Sequence, residues 1–114
     1  MTPTARLDIR LRARHVIHTV GPRWNGGRSG EAAQLASCYR SSLALARAHD
    51  LARIAFPAIA TGVYGYPPDA AAAVACQTIA AELADHALPA QVVLVGYDAA
   101  AAELLRAALA ALPA

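Results

Sequence analysis

The chain alternates short apolar runs with longer stretches of helical character. Residues 9–14 alternate apolar side chains with arginines, a period of two that is typical of a strand with one basic face. Residues 15–20 (HVIHTV), 53–60 (RIAFPAIA) and 91–96 (QVVLVG) are mostly apolar, as strands buried on both faces are. Because Pro57 cannot donate to a strand ladder, we expect the regular part of the second run to end near it.

A helical stretch follows each of these three apolar runs. The first is predicted over residues 31–49 with Ser29 as its N-cap, and the second from Pro68 or Asp69 to about residue 86, since proline is favoured in a first turn. The third follows Asp98, which is predicted to cap it. The faces expected to pack inward are Leu35, Cys38, Tyr39, Ser42 and Ala46 in the first helix and Leu105, Ala108, Leu109 and Leu112 in the last.

The order strand, helix, strand, helix, strand, helix predicts an α/β fold with a parallel sheet and right-handed crossovers. Ligands of such sheets bind beyond the carboxyl ends of the strands, where residues 21–30, 61–68 and 96–98 form the loops. The 114 residues suffice for one core, and no repeat or linker is visible, so we expect a single domain over residues 1–114.

Composition narrows the class of protein. Hydrophobic residues make up 57% and charged residues 16%, which excludes simple disorder, and 31 alanines favour helices. Ten arginines without lysine give a net charge of +2, which is too weakly basic to make nucleic acid the expected partner. Arg10, Arg12 and Arg14 are interpreted as a solvated face, with a grip on polymer phosphates as the alternative.

Location and metal binding are also constrained by the sequence. The first ten residues lack an apolar core, and the alanine-rich stretch 70–84 is too short and too polar to span a membrane. Cys38 and Cys76 are isolated and are interpreted as small packed side chains in a reducing compartment, so the cytoplasm is expected.

No metal site is predicted, because no histidines share metal-ligand spacing with an acid. Glu31 and Glu82 are interpreted as charges on helix faces.

The most informative loop is Ala60-Thr61-Gly62-Val63-Tyr64-Gly65-Tyr66-Pro67, which joins a strand to a helix N-terminus. Glycines there let backbone amides approach an anion, and the helix dipole favours negative charge, so a phosphate or diphosphate is the expected guest. The two tyrosines offer faces suited to a ribose or a base. No Gly-Lys-Ser/Thr follows, so this is not a P-loop, and an ordinary turn remains the alternative.

Several segments together resemble the macrodomain family, in particular its MacroD-like branch. The segments are 14–22 (RHVIHTVGP), Trp24, 38–40 (CYR), 42–43 (SL) and 56–67 (FPAIATGVYGYP). The resemblance covers residues 9–112 and implies a three-layer α/β/α fold. It also implies that the chain binds ADP-ribose or O-acetyl-ADP-ribose, without a cofactor, and is related to hydrolases of O-acetyl-ADP-ribose and of ADP-ribose esters on acidic side chains.

The resemblance assigns binding roles to individual residues. The family's diphosphate- and ribose-binding loop corresponds to Thr61, Gly62, Val63, Tyr64 and Gly65 of this chain, and Ala60 precedes this loop. Tyr97 and Asp98 correspond to the family's position near the nucleoside.

One part of the family pattern has no counterpart. The Asn-Ala-Ala-Asn strand and the glycine-rich loop with its aspartate, which position the catalytic water, are not found, so no catalytic residue is assigned and weak or no turnover is expected. The chain is thus interpreted as an N-terminally truncated domain from a misplaced start or truncated gene. Without the Asn-Ala-Ala-Asn strand, the strands at residues 15–20 and 54–59 must close up or leave a gap.

The alternative function is a non-catalytic interaction protein, a homodimer included, that pairs through an exposed strand edge.

Overall fold

The computed structural model describes residues 4–6, 15–62 and 64–113. Its elements in chain order are β1 (Thr4–Arg6), β2 (Val16–His18), α1 (Glu31–Ala48), β3 (Arg53–Phe56), α2 (Pro68–Asp85), β4 (Gln91–Leu94) and α3 (Ala99–Ala110). All three predicted helices are confirmed with ends that agree closely, and β3 ends just before Pro57 as expected. The strand predicted over residues 9–14 lies outside the described residues.

The described strands form no continuous sheet: of the two outcomes expected without the Asn-Ala-Ala-Asn strand, they leave a gap between β2 and β3. Strands β3 and β4 pair in parallel, with Arg53 opposite Gln91 and Phe56 opposite Leu94. Strand β2 instead pairs antiparallel with β1, so the described strands form two separate two-stranded sheets. A groove lined by residues of both β2 and β3 separates these two strands. The α/β class is confirmed, and the predicted parallel pairing is seen between β3 and β4.

The helix ends show which local signals the fold uses. Pro68 occupies the first turn of α2, and an Asp98 carboxylate oxygen accepts a hydrogen bond from the Ala101 amide at 2.8 Å, which confirms the predicted cap of α3. The N-cap of α1 is Gly30 rather than Ser29. Gly30 has a φ of 76°, a left-handed conformation that glycine adopts without steric cost, and it shifts the cap by one residue.

The core lies where α1 and α2 cover one face of β3 and β4. Leu35, Tyr39 and Leu43 of α1 are buried there, and the rings of Tyr39 and Phe56 meet edge to face at 5.0 Å. The inward face predicted for α1 is largely confirmed, with Cys38 half-buried. The seam predicted for α3 is only partly buried, because α3 packs against α2 and β4 with a cavity between them.

Two further observations concern the described residues as a whole. Their helices include none with the length and apolar content needed to cross a membrane. They also contain no group of three histidine, cysteine, aspartate or glutamate side chains close enough together to hold a metal ion.

Candidate functional site

A cavity of about 330 Å³ opens at the carboxyl ends of β3 and β4. This volume lies within the range of ordinary small-molecule pockets. Its walls come from the loops after the two strands, from the start of α2 at Pro68 and from the first turn of α3 at Ala100 and Ala101. Two helix N-termini therefore border one cavity, an arrangement that favours a negatively charged guest.

The loop that enters this cavity after β3 is closed by its own hydrogen bonds. The Gly65 amide donates to the Thr61 and Gly62 carbonyls at 3.3 and 3.1 Å, and the Tyr66 amide donates to the Ala60 carbonyl at 3.0 Å. Ala60 and Gly65 both have positive φ, at 67° and 75°, as this tight reversal requires. The amides of Gly65 and Tyr66 thus point into the loop, which leaves them unable to bind an anion.

The amides of Thr61 and Gly62 are in a different situation. They have no hydrogen-bond partner among the described residues, and both residues line the cavity. A Cβ atom placed on Gly62 would meet nothing within 4 Å, so the backbone there is open to close approach by a ligand. These two amides are the donors that the loop presents to the cavity.

A second loop, residues 22–30, supports this one. The Trp24 amide donates to the Tyr64 carbonyl at 2.8 Å, and the Trp24 ring lies 4.8 Å from the Tyr66 ring. The guanidinium carbon of Arg23 lies 5.8 Å from the centre of the Tyr64 ring, within the range of a cation–π contact. The position of the Tyr64 turn is therefore tied to residues 23 and 24.

Glu31 holds the supporting loop in place. Its carboxylate accepts hydrogen bonds from the backbone amides of Asn25, Gly27 and Ser29 at 2.8, 2.9 and 2.6 Å. The residue is only 1% exposed, so its interpretation as a charge on a helix face is wrong. Burial works to raise the pKa of Glu31, but these backbone hydrogen bonds favour the charged form and bring the pKa below its ordinary value.

Tyr97 and Asp98 also line the cavity. Tyr97 is 96% exposed, so its ring is available to a ligand. The Asp98 carboxylate is engaged as the cap of α3. Tyr39 lines the cavity too, and burial raises the pKa of Tyr39 to about 12, although a hydrogen bond with the Ile59 backbone works in the other direction. The Tyr39 hydroxyl therefore stays neutral at physiological pH.

The structure brings together Thr61, Gly62, Tyr97 and Asp98, half of the predicted binding residues. Ala60, Tyr64 and Gly65 shape or support the loop without lining the cavity, and Val63 lies outside the described residues. Sequence reasoning missed the cavity wall contributed by residues 57–59 and the anchoring role of Glu31. Residues 57–59 directly follow β3 at the expected ligand edge, a signal that could have identified them.

Comparison with known proteins gives the family. The sequence profile of the macro domain matches residues 1–75, about two-thirds of the chain. The chain belongs to the macro domain family. A macro domain-containing protein of Mesorhizobium japonicum is 52% identical over 103 residues, which make up 90% of this chain and 58% of that protein. An O-acetyl-ADP-ribose deacetylase of Salmonella typhimurium is 52% identical over 104 residues, 91% of this chain and 56% of the enzyme.

Solved macro domains share the fold. The Oceanobacillus iheyensis macrodomain, solved with ADP, superposes with a TM-score of 0.90 at 37% identity, over 96% of this chain and 57% of that one. The Trypanosoma brucei macrodomain in complex with ADP-ribose gives a TM-score of 0.84 at 29% identity, over 92% and 44% of the two chains. This macro domain thus spans a little over half the length of the curated relatives that it matches.

Proposed function

We propose that this macro domain binds ADP-ribose or O-acetyl-ADP-ribose in the cavity at the carboxyl ends of β3 and β4. The observation that carries the proposal is that Thr61 and Gly62 line the cavity beside the N-terminus of α2 and that their amides have no hydrogen-bond partner within the described part of the chain. Backbone N–H groups and a helix dipole are the groups with which proteins hold diphosphates. Tyr97 lines the same cavity, and its exposed ring supplies a surface for the nucleoside.

The relatives support the same ligand class. The Salmonella typhimurium relative is named for deacetylation of O-acetyl-ADP-ribose, and two structural neighbours were solved with ADP and with ADP-ribose. The segment matched to the family includes residues 60–65, so the loop that carries the proposal lies within the shared part.

We infer binding rather than turnover as the activity of this chain. Of the ionisable side chains that line the cavity, Asp98 is engaged in capping α3 and the Tyr39 phenol is held neutral by burial. The Tyr97 hydroxyl is held by no described residue and projects into solvent. The described lining therefore offers no group positioned to activate a water molecule, which hydrolysis requires.

The test is calorimetric titration with ADP-ribose, with ADP and adenosine as truncated ligands. We expect adenosine to bind much more weakly because it cannot use the Thr61 and Gly62 amides. A Gly62→Val substitution places a branched side chain over these amides and should weaken ADP-ribose binding by about 10–100-fold, the cost of losing a charged hydrogen bond.

The matched control is Ala107→Val, which adds a branched side chain on the exposed part of α3 away from the cavity. This variant should bind ADP-ribose like the parent protein. Absence of measurable heat at millimolar ADP-ribose, or equal binding by the parent and Gly62→Val, would contradict the proposal.

We also propose the cytoplasm as the location of this macro domain. The support is chemical: both of its cysteines are free thiols, and Cys76 is buried in α2. Fractionation of cells that produce the tagged chain tests this, and recovery outside the cytoplasmic fraction would contradict it.

A further inference from the structure

A second cavity, of about 300 Å³, lies between α2, β4 and α3. We propose that this cavity binds a medium-chain carboxylate, with the alkyl chain inside it and the carboxylate at Arg106. It has Leu94, Gly96 and Leu105 in common with the cavity proposed for ADP-ribose, but it continues along α3 as a separate ligand site. Its lining, its size, its one charged side chain and the packing of α3 carry the proposal.

The wall of this second cavity is mostly apolar. Helix α2 contributes Ile79 and Leu83, and β4 contributes Val92. Of the described residues in the wall, only Cys76 and Arg106 have a side-chain atom other than carbon. A buried water molecule needs about two to four polar partners, which the side chains of this wall do not offer. The cavity therefore favours an apolar guest over water.

Cys76 is part of this apolar wall. Its side chain is 2% exposed, and burial raises the pKa of the thiol above its ordinary value. The thiol is therefore neutral at physiological pH, where it packs as a small apolar group. Its position in the wall also makes it a reporter, because a guest in the cavity would lie between the thiol and solvent.

The volume of the second cavity sets the length of the alkyl chain. An apolar cavity of about 150 Å³ takes a benzene molecule. On that scale, a cavity of about 300 Å³ has room for about ten to twelve non-hydrogen atoms. Octanoate and decanoate fall in this range, whereas butanoate is too short to fill the cavity.

Arg106 supplies the charge that selects a carboxylate. It is the only charged residue among the described residues that line this cavity, and its side chain is 69% exposed, so its head group lies in water at the opening. One guanidinium nitrogen donates to Glu103, whereas the other N–H groups have no partner within the part of the chain that the structure describes. They are able to donate to a carboxylate, whose two oxygens match the planar fork of the guanidinium.

The packing of α3 leaves room for an alkyl chain along its second half. Near its start α3 lies close to the end of β4, since a Cβ atom added to Gly96 would be 2.6 Å from the Ala102 amide nitrogen. Further along, Leu105 and Leu109 line the cavity, yet no residue of α3 is buried and Leu109 is 52% exposed. An alkyl chain beside them would take more of their apolar surface out of water, which is the main driving force for binding such a ligand.

The experiment is calorimetric titration of the 114-residue chain with octanoate, below the concentration at which octanoate forms micelles. Octanoate should bind about tenfold or more tightly than butanoate, because each buried methylene group adds to the affinity. In parallel, labelling with N-ethylmaleimide followed by peptide mass spectrometry should show that octanoate slows modification of Cys76. Cys38 is the internal reference, because it does not line this cavity and its labelling should be unchanged.

Ala80→Leu tests whether the guest lies inside the cavity. Ala80 is part of the wall, so the larger side chain takes up space in the cavity and should weaken octanoate binding about tenfold or more. Ala81→Leu is the matched control, because it makes the same change at an exposed position of α2 that does not line the cavity. Its affinity for octanoate should equal that of the parent protein.

Arg106→Gln tests the head group. The variant should bind octanoate about two- to fivefold more weakly, the effect of one exposed charge pair, and should bind octan-1-ol like the parent protein. Arg106→Lys keeps the charge and should retain most of the affinity for octanoate.

Circular dichroism of each variant shows whether it folds; if Ala80→Leu does not, protection of Cys76 in the parent protein decides the question. No octanoate binding at millimolar concentration, unchanged labelling of Cys76 in its presence, or equal affinities of the Ala80→Leu and Ala81→Leu variants would each overturn the proposal. Octan-1-ol that binds as tightly as octanoate would overturn the choice of a carboxylate. None of these readouts involves ADP-ribose, so they are independent of the proposed function.

Discussion

Glu31 is a charged residue that the fold holds out of solvent and surrounds with backbone donors. Three amides of residues 25–29 point at its carboxylate, so the side chain organises a loop that contains two positive-φ glycines, Gly26 and Gly27. The pKa of Tyr66 is raised mainly by burial, and the negative charge of Glu31 raises it further. One side chain therefore influences both loops beside the cavity.

A Glu31→Gln substitution tests this role through pH. Because the pKa of Glu31 is lowered in the folded state, its charged form stabilises the fold above the ordinary carboxylate pKa, and the contribution is lost as pH falls through the folded pKa. We expect Glu31→Gln to lower Tm by several degrees at pH 7, with the difference shrinking towards pH 3. Thermal unfolding followed by circular dichroism across this range measures it.

Glu103→Gln is the control for this titration. Glu103 pairs with Arg106 on the exposed surface of α3, where ion pairs contribute about 0–1 kcal/mol. Its Tm should differ little from the parent at every pH. A pH-independent difference for Glu31→Gln would mean that its shape, and not its charge, holds the loop.

The single-residue roles were the hardest to predict from the sequence. The Asp98 cap follows from a local signal, an aspartate just before a helical stretch. Glu31 gave no such signal, since a carboxylate at the start of a helix is normally solvated, and only the chain reversal at residues 25–29 turns three amides towards it. Likewise, the inward amides of Gly65 and Tyr66 result from hydrogen bonds within the loop that spacing does not reveal.

At the scale of elements, the two loops beside the cavity act as one unit. Residues 22–30 contact residues 60–66 through the Trp24–Tyr64 backbone hydrogen bond and the Trp24–Tyr66 ring contact. Trp24 also packs on Gly27, where an added Cβ would lie 2.9 Å from the ring. Through these contacts, the supporting loop helps to hold the turn that presents the Thr61 and Gly62 amides in place.

Trp24→Ala should uncouple the loops. The variant keeps the backbone hydrogen bond but loses the aromatic contact, worth about 0.5–1.5 kcal/mol beyond its buried area, so we expect ADP-ribose affinity to fall about two- to tenfold. Titration calorimetry measures the change. Trp24→Phe retains a ring against Tyr66 and should recover most of the affinity; equal losses in both variants would mean that the ring contact does not position the turn.

The helices could be predicted because their signals are local: periodic apolar positions, Pro68 in a first turn and Asp98 as a cap. Strand partners could not, because pairing depends on which edges the rest of the fold leaves available. The apolar run at residues 15–20 predicted a strand correctly, yet β2 pairs with β1 instead of joining β3. Residues 61–62 and 97–98 converge as expected, because β3 and β4 are parallel neighbours and their carboxyl ends meet.

At the scale of the whole molecule, the core of the described residues lies on one side. Among these residues burial is concentrated between α1, α2 and one face of β3 and β4, whereas α3 has no buried residue and Val93 and Val95 of the other face are 44% and 49% exposed. A chain of 114 residues typically has a free energy of unfolding of about 5–15 kcal/mol, so the loss of one fully buried side chain removes a large share of it. Its stability should therefore depend strongly on a few side chains of α1.

Leu35→Ala and Leu109→Ala compare the two sides of the molecule with one chemical change. Leu35 is fully buried in the core, so its truncation should lower the free energy of unfolding by about 2–5 kcal/mol and leave little cooperative structure. Leu109 of α3 is 52% exposed, so the same truncation should cost only about 1 kcal/mol. Urea unfolding followed by circular dichroism distinguishes them, and similar costs at both positions would show that α3 contributes to the core as fully as α1.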